Sequence, residues 1–486
     1  MEQGPGDPTA QRTDLLARVS LPLAWSESWK ADPTAVYVRD VDGTGLDGFD
    51  LLDRTARVAG RLHAAGLVAG DRVLVSGETS ADLVVAHIGA LRLGLVVVPV
   101  NPSFSRREVD AIVEAAAPRA AILEGEELRS WMPAEVCTTG IDVDLADGIV
   151  PELDGVASDD PALLPFTSGT TGTPKGVVLS HGNLLASSAA VAEAWRWEAT
   201  DTLVLCLPLF HVHGLGVGLH TSLLVGGTVI LQRGFDAEAV LAACDEATMF
   251  FGVPTMWSRL AAADGLERLG KLRLCVSGSA PLAPELLERI RDASGQTILE
   301  RYGMTETLML TTNPYDGERR AGTVGMPFPG VEVRLDADTA EIEVRGANVF
   351  AGYLDQPDAT REAFTDDGWF RTGDIGALDD DGYLSIVGRA KELIITGGYN
   401  VYPREIEDVL RGHPSVHDVA VVGTPSEEWG EVVTAYVESD DSFDANAIVG
   451  FAAERLAPYK RPRLIHRIDA LPRNPLGKVQ RDRLGQ

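Results

Sequence analysis

Positive charge is scarce in this chain. Against 72 aspartates and glutamates stand 42 lysines and arginines, a formal net charge of −30. So acidic a surface repels phosphate backbones and anionic headgroups, which argues against nucleic acid and against an anionic membrane as partners. Any anionic substrate must then be held by local cations, and each lysine or arginine inside a motif gains weight. Long apolar runs are also missing: no stretch of eighteen or more apolar residues occurs, so no membrane-spanning helix is expected. Met1 to Arg12 is polar, acidic and proline-containing. It lacks the basic-then-apolar order of a secretory leader, and the expected location is cytoplasmic. The four cysteines, Cys137, Cys206, Cys244 and Cys275, are far apart and three sit in apolar stretches. Buried free thiols are expected rather than disulfides or metal ligands. Short-period repeats and low-complexity tracts are absent.

What is present is a chain of 486 residues, 45% of them apolar, too long for one core and therefore divided into two or more domains. Apolar residues recur at helical spacing from Leu51 to Gly66, with Gly66 placed to end that helix. Short apolar segments read as strands: Arg72 to Ser76, Leu95 to Val100, Ala120 to Glu124, Thr202 to Leu209, Thr228 to Gln232, Met249 to Val253, Leu272 to Ser277 and Thr297 to Arg301. Helical stretches such as Pro284 to Ala293 separate them. This alternation predicts an α/β fold of sheets covered by helices. After Gly382–Gly388 the texture changes to shorter, more charged elements: Asp418 to Gly423, Val432 to Glu438, Ile448 to Leu456 and Arg463 to Asp469.

The centre of the chain is a loop of small hydroxyl residues and glycines, Thr167, Ser168, Gly169, Thr170, Thr171, Gly172, Thr173, Pro174, Lys175 and Gly176. Its glycines let backbone approach a ligand closely, its hydroxyls and N–H groups donate, and Lys175 adds a point charge, a combination suited to a polyphosphate. The P-loop pattern fails here, because Pro174 and Gly176 flank the lysine where a glycine and a Ser or Thr are required. A second constellation, Arg301 to Thr307, ends a strand in Tyr302-Gly303 and sets Thr305 and Glu306 side by side. A hydroxyl and a carboxylate so placed suit a phosphate and Mg²⁺, or else form a helix-capping pair. The turn Ser277-Gly278-Ser279-Ala280-Pro281 follows a buried strand, where α/β folds present backbone to ligands. Asp374 could accept from both hydroxyls of a ribose or be a solvated turn residue. Lys391 to Glu405 is a strand broken by two glycines, and Pro472 to Lys478 is a proline-rich loop that cannot be helical.

Together these stretches resemble the acyl-adenylate-forming enzymes, a family of acyl-CoA synthetases, peptide-synthetase adenylation domains and luciferases. The likeness covers the chain from about Leu51 to Lys478. It implies a large N-terminal domain over residues 1–388, a hinge at 389–391 and a small mobile α+β lid over 392–486. By that likeness the hydroxyl loop with Lys175 holds the ATP phosphates. Gly278, Ser279, Ala280, Glu300, Arg301, Tyr302, Gly303 and Met304 line the nucleotide and acyl sites, with Tyr302 stacked on adenine. Thr305 contacts the α-phosphate, Glu306 holds Mg²⁺, and Asp374 and Arg389 reach the ribose. Lys391 is the hinge residue, and Gly397, Gly398 and Tyr399 line the path of the CoA pantetheine. Lys478 arrives on the lid to neutralise charge at the phosphorus under attack.

In the family that the chain resembles, the residue before Tyr-Gly lines the acyl pocket, so the resemblance makes it the guide to the acid. An apolar tail wants small or apolar residues there, whereas Arg301 demands a second carboxylate that its planar fork can bind through two parallel hydrogen bonds. His211, Ser277, Ser279 and Met304 complete the expected acyl pocket, with Arg233 and Arg259 as alternative cations. His211 and His213 could instead be a zinc pair, but no third ligand at recognisable spacing follows. Glu300 to Glu306 with Ser277 to Pro281 looks most similar to the malonyl-CoA and methylmalonyl-CoA synthetases. The expected reaction joins malonate or methylmalonate to CoA at the expense of ATP, with an acyl-CoA-consuming synthase as a downstream partner. A CoA ligase for another short-chain or aryl acid, and an adenylation enzyme that loads a carrier protein, would share most of these motifs.

Overall fold

The computed structural model describes residues 12, 14–141, 150–167, 174–396, 399–426, 429–473 and 478–485. Ser168, Gly169, Thr170, Thr171 and Gly172 of the hydroxyl loop, and Gly397 and Gly398, lie outside the described residues. The chain is mixed α/β, with a large N-terminal and a smaller C-terminal domain. Its compact units are Met1–Glu332 with Val344–Phe370, and Val333–Glu343 with Arg371–Gln486.

Among the described residues the first unit holds two large sheets. One runs in the order Gly352–Tyr353, Lys175–Ser180, Pro161–Leu163, Val96–Pro99, Arg72–Ser76, Ala120–Leu123 and Cys137–Thr139, with Phe166–Thr167 paired beside Lys175–Ser180. The other begins at Met326–Pro327 and continues through Leu308–Thr312, Leu299–Met304, Leu274–Ser277, Met249–Gly252, Thr202–Leu205, Thr228–Leu231 and Val36–Arg39 to Gly45–Asp47. The expected alternation is present: Arg72–Ser76 lies parallel to both Val96–Pro99 and Ala120–Leu123. Leu74, Val97 and Ala121 are fully buried, as strands covered on both faces should be. Helix Gly48–Ala64 starts at a capping box between Asp47 and Asp50 and buries Leu51, Val58 and Leu62 along one stripe. It ends where Gly66 takes φ +85°.

One strand is shorter than its sequence suggests. The apolar run Thr202 to Leu209 is a strand only to Leu205, because Pro208 has no N–H for a ladder and the chain leaves the sheet into a turn. That turn leads into a buried π-helical stretch, His213–His220, a rare geometry that recurs at functional sites. All four cysteines are free; Cys206, Cys244 and Cys275 are buried as expected, while Cys137 is exposed. No helix of the described residues is long and apolar enough to cross a membrane.

In the second unit a sheet runs Tyr399–Val401, Ile394–Thr396, Gly430–Glu438, Asp418–Ser426, with Leu464–Ile468 parallel to Gly430–Glu438. Helices Pro403–Arg411 and Ala445–Arg455 pack on it around Ile394, Ile406, Leu410, Val421, Val433 and Ile448. The strand Leu384–Arg389 also groups with this unit.

Candidate active site

Parallel strands of the larger sheet lead at their carboxyl ends to the Ser277 turn and Arg301, where α/β sheets bind ligands. Ser277 pairs with Glu300 in register, so the Ser277 turn and Arg301 leave adjacent strands side by side. Arg301 is only 4% exposed. Its guanidinium lies on the backbone of Gly278: a Cβ there would sit 2.5 Å from both Cζ and Nε of the arginine. Only glycine leaves that room. The Nε and Nη2 groups of Arg301 have no hydrogen-bond partner among the described residues. Burial pushes the group down to about 9, well below the ordinary arginine value. A guanidinium in a dry site still keeps its proton at neutral pH, so what the lowering measures is the cost of burying charge without a counter-ion.

Beside it stands His213, whose Nδ1 is 3.2 Å from the Ser279 hydroxyl and whose Nε2 has no partner among the described residues. Burial first, then the neighbouring Arg301 and His211, hold this imidazole well below its usual value, so it is neutral. When the hydroxyl donates to Nδ1, Nε2 carries the proton and becomes a donor. Ser279 adopts φ +70° to reach it, a backbone state uncommon outside glycine. His211 is half-buried, its ring 4.6 Å from that of Phe210, and burial lowers it to about 4. Met304 is half-buried at the end of the Arg301 strand, while Ala280 is exposed. The two alternative cations face solvent: Arg233 in the bend after Thr228–Leu231, and Arg259 on helix Pro254–Ala262.

The other sheet carries Thr167 and Lys175. Thr167 and Lys175 face each other across an antiparallel pair that flanks the hydroxyl loop. Lys175 Nζ lies 4.7 Å from the centre of the Tyr353 ring, and the Tyr353 hydroxyl donates to Glu306 Oε1 at 3.1 Å. Thr305 and the buried Glu306 occupy a turn joining Leu299–Met304 to Leu308–Thr312, so the capping-pair alternative is not realised: no helix begins there. Gly303 is required at that turn, since a Cβ would come within 2.0 Å of the Leu308 carbonyl oxygen. Tyr302 is buried just before it. A single buried carboxylate beside a hydroxyl fits Mg²⁺, which takes one or two carboxylates and draws its other ligands from phosphate and water.

Within the second unit Asp374 and Arg389 are directly opposite each other on antiparallel strands, and Arg389 Nε meets Asp374 Oδ1 at 2.9 Å. Lys478 shares their field: partial burial and then Arg389 lower its ammonium below the lysine range, with Glu392 and Asp374 opposing. The tail that carries it is tied down by Arg481, which pairs with Glu392 at 3.1 Å and Glu407 at 2.8 Å. Lys391 sits in the turn Ala390–Glu392. Tyr399 is exposed and its ring stacks on Tyr459 at 4.4 Å.

Sequence reasoning missed two participants. Tyr353 has no motif of its own beyond a Gly-Tyr pair far downstream of Glu306. His213 was weighed only as half of a metal pair, whereas Ser279 engages it; the signal was a second histidine two residues after His211.

A buried guanidinium at the end of one sheet and, within the same unit, a lysine near a carboxylate able to hold a metal suit the joining of an acid to a nucleotide. The AMP-binding enzyme family matches residues 25–354 and the AMP-binding enzyme C-terminal domain matches residues 405–478. The chain belongs to that family and is an acid–thiol ligase. It is 36% identical to a feruloyl-CoA synthase of Amycolatopsis sp over 93% of this chain and 95% of that protein. It is 33% identical to a malonate–CoA ligase of Arabidopsis thaliana over 86% of this chain and 78% of that protein. Among solved structures, ATP-bound MatB from Rhodopseudomonas palustris aligns with a TM-score of 0.90 at 36% identity, covering 95% of this chain and 98% of that one. The relatives differ in the acid they are named for, so the choice of acid falls to the pocket.

Proposed function

We propose that the enzyme converts malonate or methylmalonate, ATP and CoA to the acyl-CoA, AMP and pyrophosphate. The buried guanidinium of Arg301 carries this reading. Its Nε and Nη2 donors lack partners among the described residues, and a second carboxylate would satisfy them through two parallel bonds. Acetate or an aryl acid would leave the charge unpaired, at a cost of about 3–5 kcal/mol relative to the paired state. His213, fixed by Ser279, adds a neutral donor to the same carboxylate, and Met304 bounds the space around C2.

In the first half-reaction the other carboxylate attacks the α-phosphorus of ATP, forming acyl-AMP and expelling pyrophosphate. Lys175 and Lys478 neutralise the charge that gathers there, and Thr305 donates to the phosphate. Glu306 would hold Mg²⁺, which supplies charge neutralisation on the departing phosphates. Asp374 and Arg389 orient the ribose and Tyr302 the adenine. In the second half-reaction the CoA thiolate attacks the acyl carbon and AMP leaves, with residues 389–391 as the hinge about which the lid 392–486 turns, and Tyr399 beside the pantetheine path. The product suits an acyl-CoA-consuming synthase.

Pyrophosphate release across mono- and dicarboxylic acids, with and without CoA, tests this. Malonate or methylmalonate should exceed acetate and ferulate by at least a hundredfold in kcat/KM and require CoA for turnover. A preference for a monocarboxylic acid would overturn the choice of acid while leaving the ligase class intact.

A further inference from the structure

Tyr353 lies between two groups that the chemistry above needs, and nothing in the family match assigns it a part. Its strand, Gly352–Tyr353, pairs antiparallel with Lys175–Ser180, Tyr353 opposite Val177. Side chains two apart on a strand share a face, so Tyr353 meets Lys175 on the diagonal. The ring is held on several sides. Tyr353 N–H donates to Thr360 Oγ1 at 2.9 Å, Leu354 N–H donates to the Gly176 carbonyl at 2.8 Å, and Phe350 packs edge-on at 4.9 Å. Phe350 N–H in turn donates to the Glu306 carbonyl at 2.9 Å. One rigid aromatic therefore joins the phosphate-loop strand to the Glu306 turn.

We propose that Tyr353 is a positioning residue: its hydroxyl orients the Glu306 carboxylate for the metal, and its ring face parks the Lys175 ammonium at the mouth of the phosphate loop. The inference rests on Glu306 as the Mg²⁺ ligand and Lys175 as a phosphate cation. A hydrogen bond from the phenol to Oε1 fixes the plane of the carboxylate, as partners of metal-binding carboxylates do. The cation–π contact holds an ammonium without neutralising it, and an arriving triphosphate can draw Lys175 off the ring at little cost.

The full-length enzyme with Tyr353→Phe loses one oxygen and keeps the ring. Mn²⁺ binding, read by electron paramagnetic resonance in the presence of α,β-methylene-ATP, should weaken about tenfold. The Mg²⁺ concentration for half-maximal pyrophosphate release should rise by a similar factor, while thioester formation from preformed acyl-AMP stays at the parent rate. Tyr353→Leu should add a rise in the KM for ATP, because it also removes the ring under Lys175. Parent-like Mn²⁺ affinity in Tyr353→Phe would overturn the proposal if Glu306→Gln, measured alongside, loses Mn²⁺. If Glu306→Gln also binds Mn²⁺ normally, the metal assignment of Glu306 falls and the role of Tyr353 with it. Equal losses in both half-reactions of Tyr353→Phe would mark a merely structural residue and likewise overturn it.

Discussion

Replacing Arg301 with methionine should make the protein more stable and less useful. Burial alone lowers the guanidinium to about 9, the mark of a charge desolvated at a cost. The ligand-free Arg301→Met variant should gain about 1–4 kcal/mol, the range found when buried charges are replaced by apolar side chains of similar size. Differential scanning calorimetry without ligands should show a higher melting temperature than the parent. Adding malonate should raise the parent's melting temperature and leave the variant's unchanged, since the dicarboxylate pairs with a charge that only the parent has. Pyrophosphate release should show malonate kcat/KM falling by roughly 10²-fold or more, with acetate barely affected. A ligand-free variant that is less stable than the parent, or that still selects malonate over acetate as strongly, would refute the reasoning.

Gly278→Ala places a methyl where the guanidinium now lies, 2.5 Å from Cζ; displacing Arg301 should cost about 1–3 kcal/mol and cut malonate selectivity about tenfold or more, read from the malonate-to-acetate ratio of kcat/KM. Lys478→Ala should abolish adenylate formation in a pyrophosphate-exchange assay yet leave CoA transfer from preformed acyl-AMP largely intact; equal loss in both would contradict a role confined to the phosphorus. His87 and His181 are buried imidazoles held near 3 and 4, well under the ordinary 6.5, by burial. The folded protein cannot take up the protons that the unfolded chain binds below pH 6.5, so their contribution to stability is complete above 6.5 and lost as pH falls toward 3–4, about 2 kcal/mol per group by pH 5. Urea unfolding between pH 7 and 5 should show this slope, and His87→Gln should reduce it; a flat profile would refute the assignment.

Local signals carried far in this chain. Alternating apolar runs such as Arg72–Ser76 and Met249–Gly252 announce buried parallel strands because burial on both faces writes itself into consecutive residues. The hydroxyl loop and the Tyr302-Gly303 turn are legible because each packs its chemistry into a few adjacent positions. Arg301 could be singled out from its place before Tyr302 only through the family resemblance, and its part in choosing the acid is a proposal. What the order of residues could not disclose was which side chains meet. Ser279 reaches His213 from 66 positions away, and Tyr353 reaches Glu306 from 47. Those encounters depend on which strands become neighbours and in what register, and strand order is settled by how whole sheets bury their faces, not by any one segment. The setting of Arg301 is of the same kind: its type and position were written in the chain, but its burial on Gly278, with Nε and Nη2 unpartnered among the described residues, exists only once two strands lie side by side.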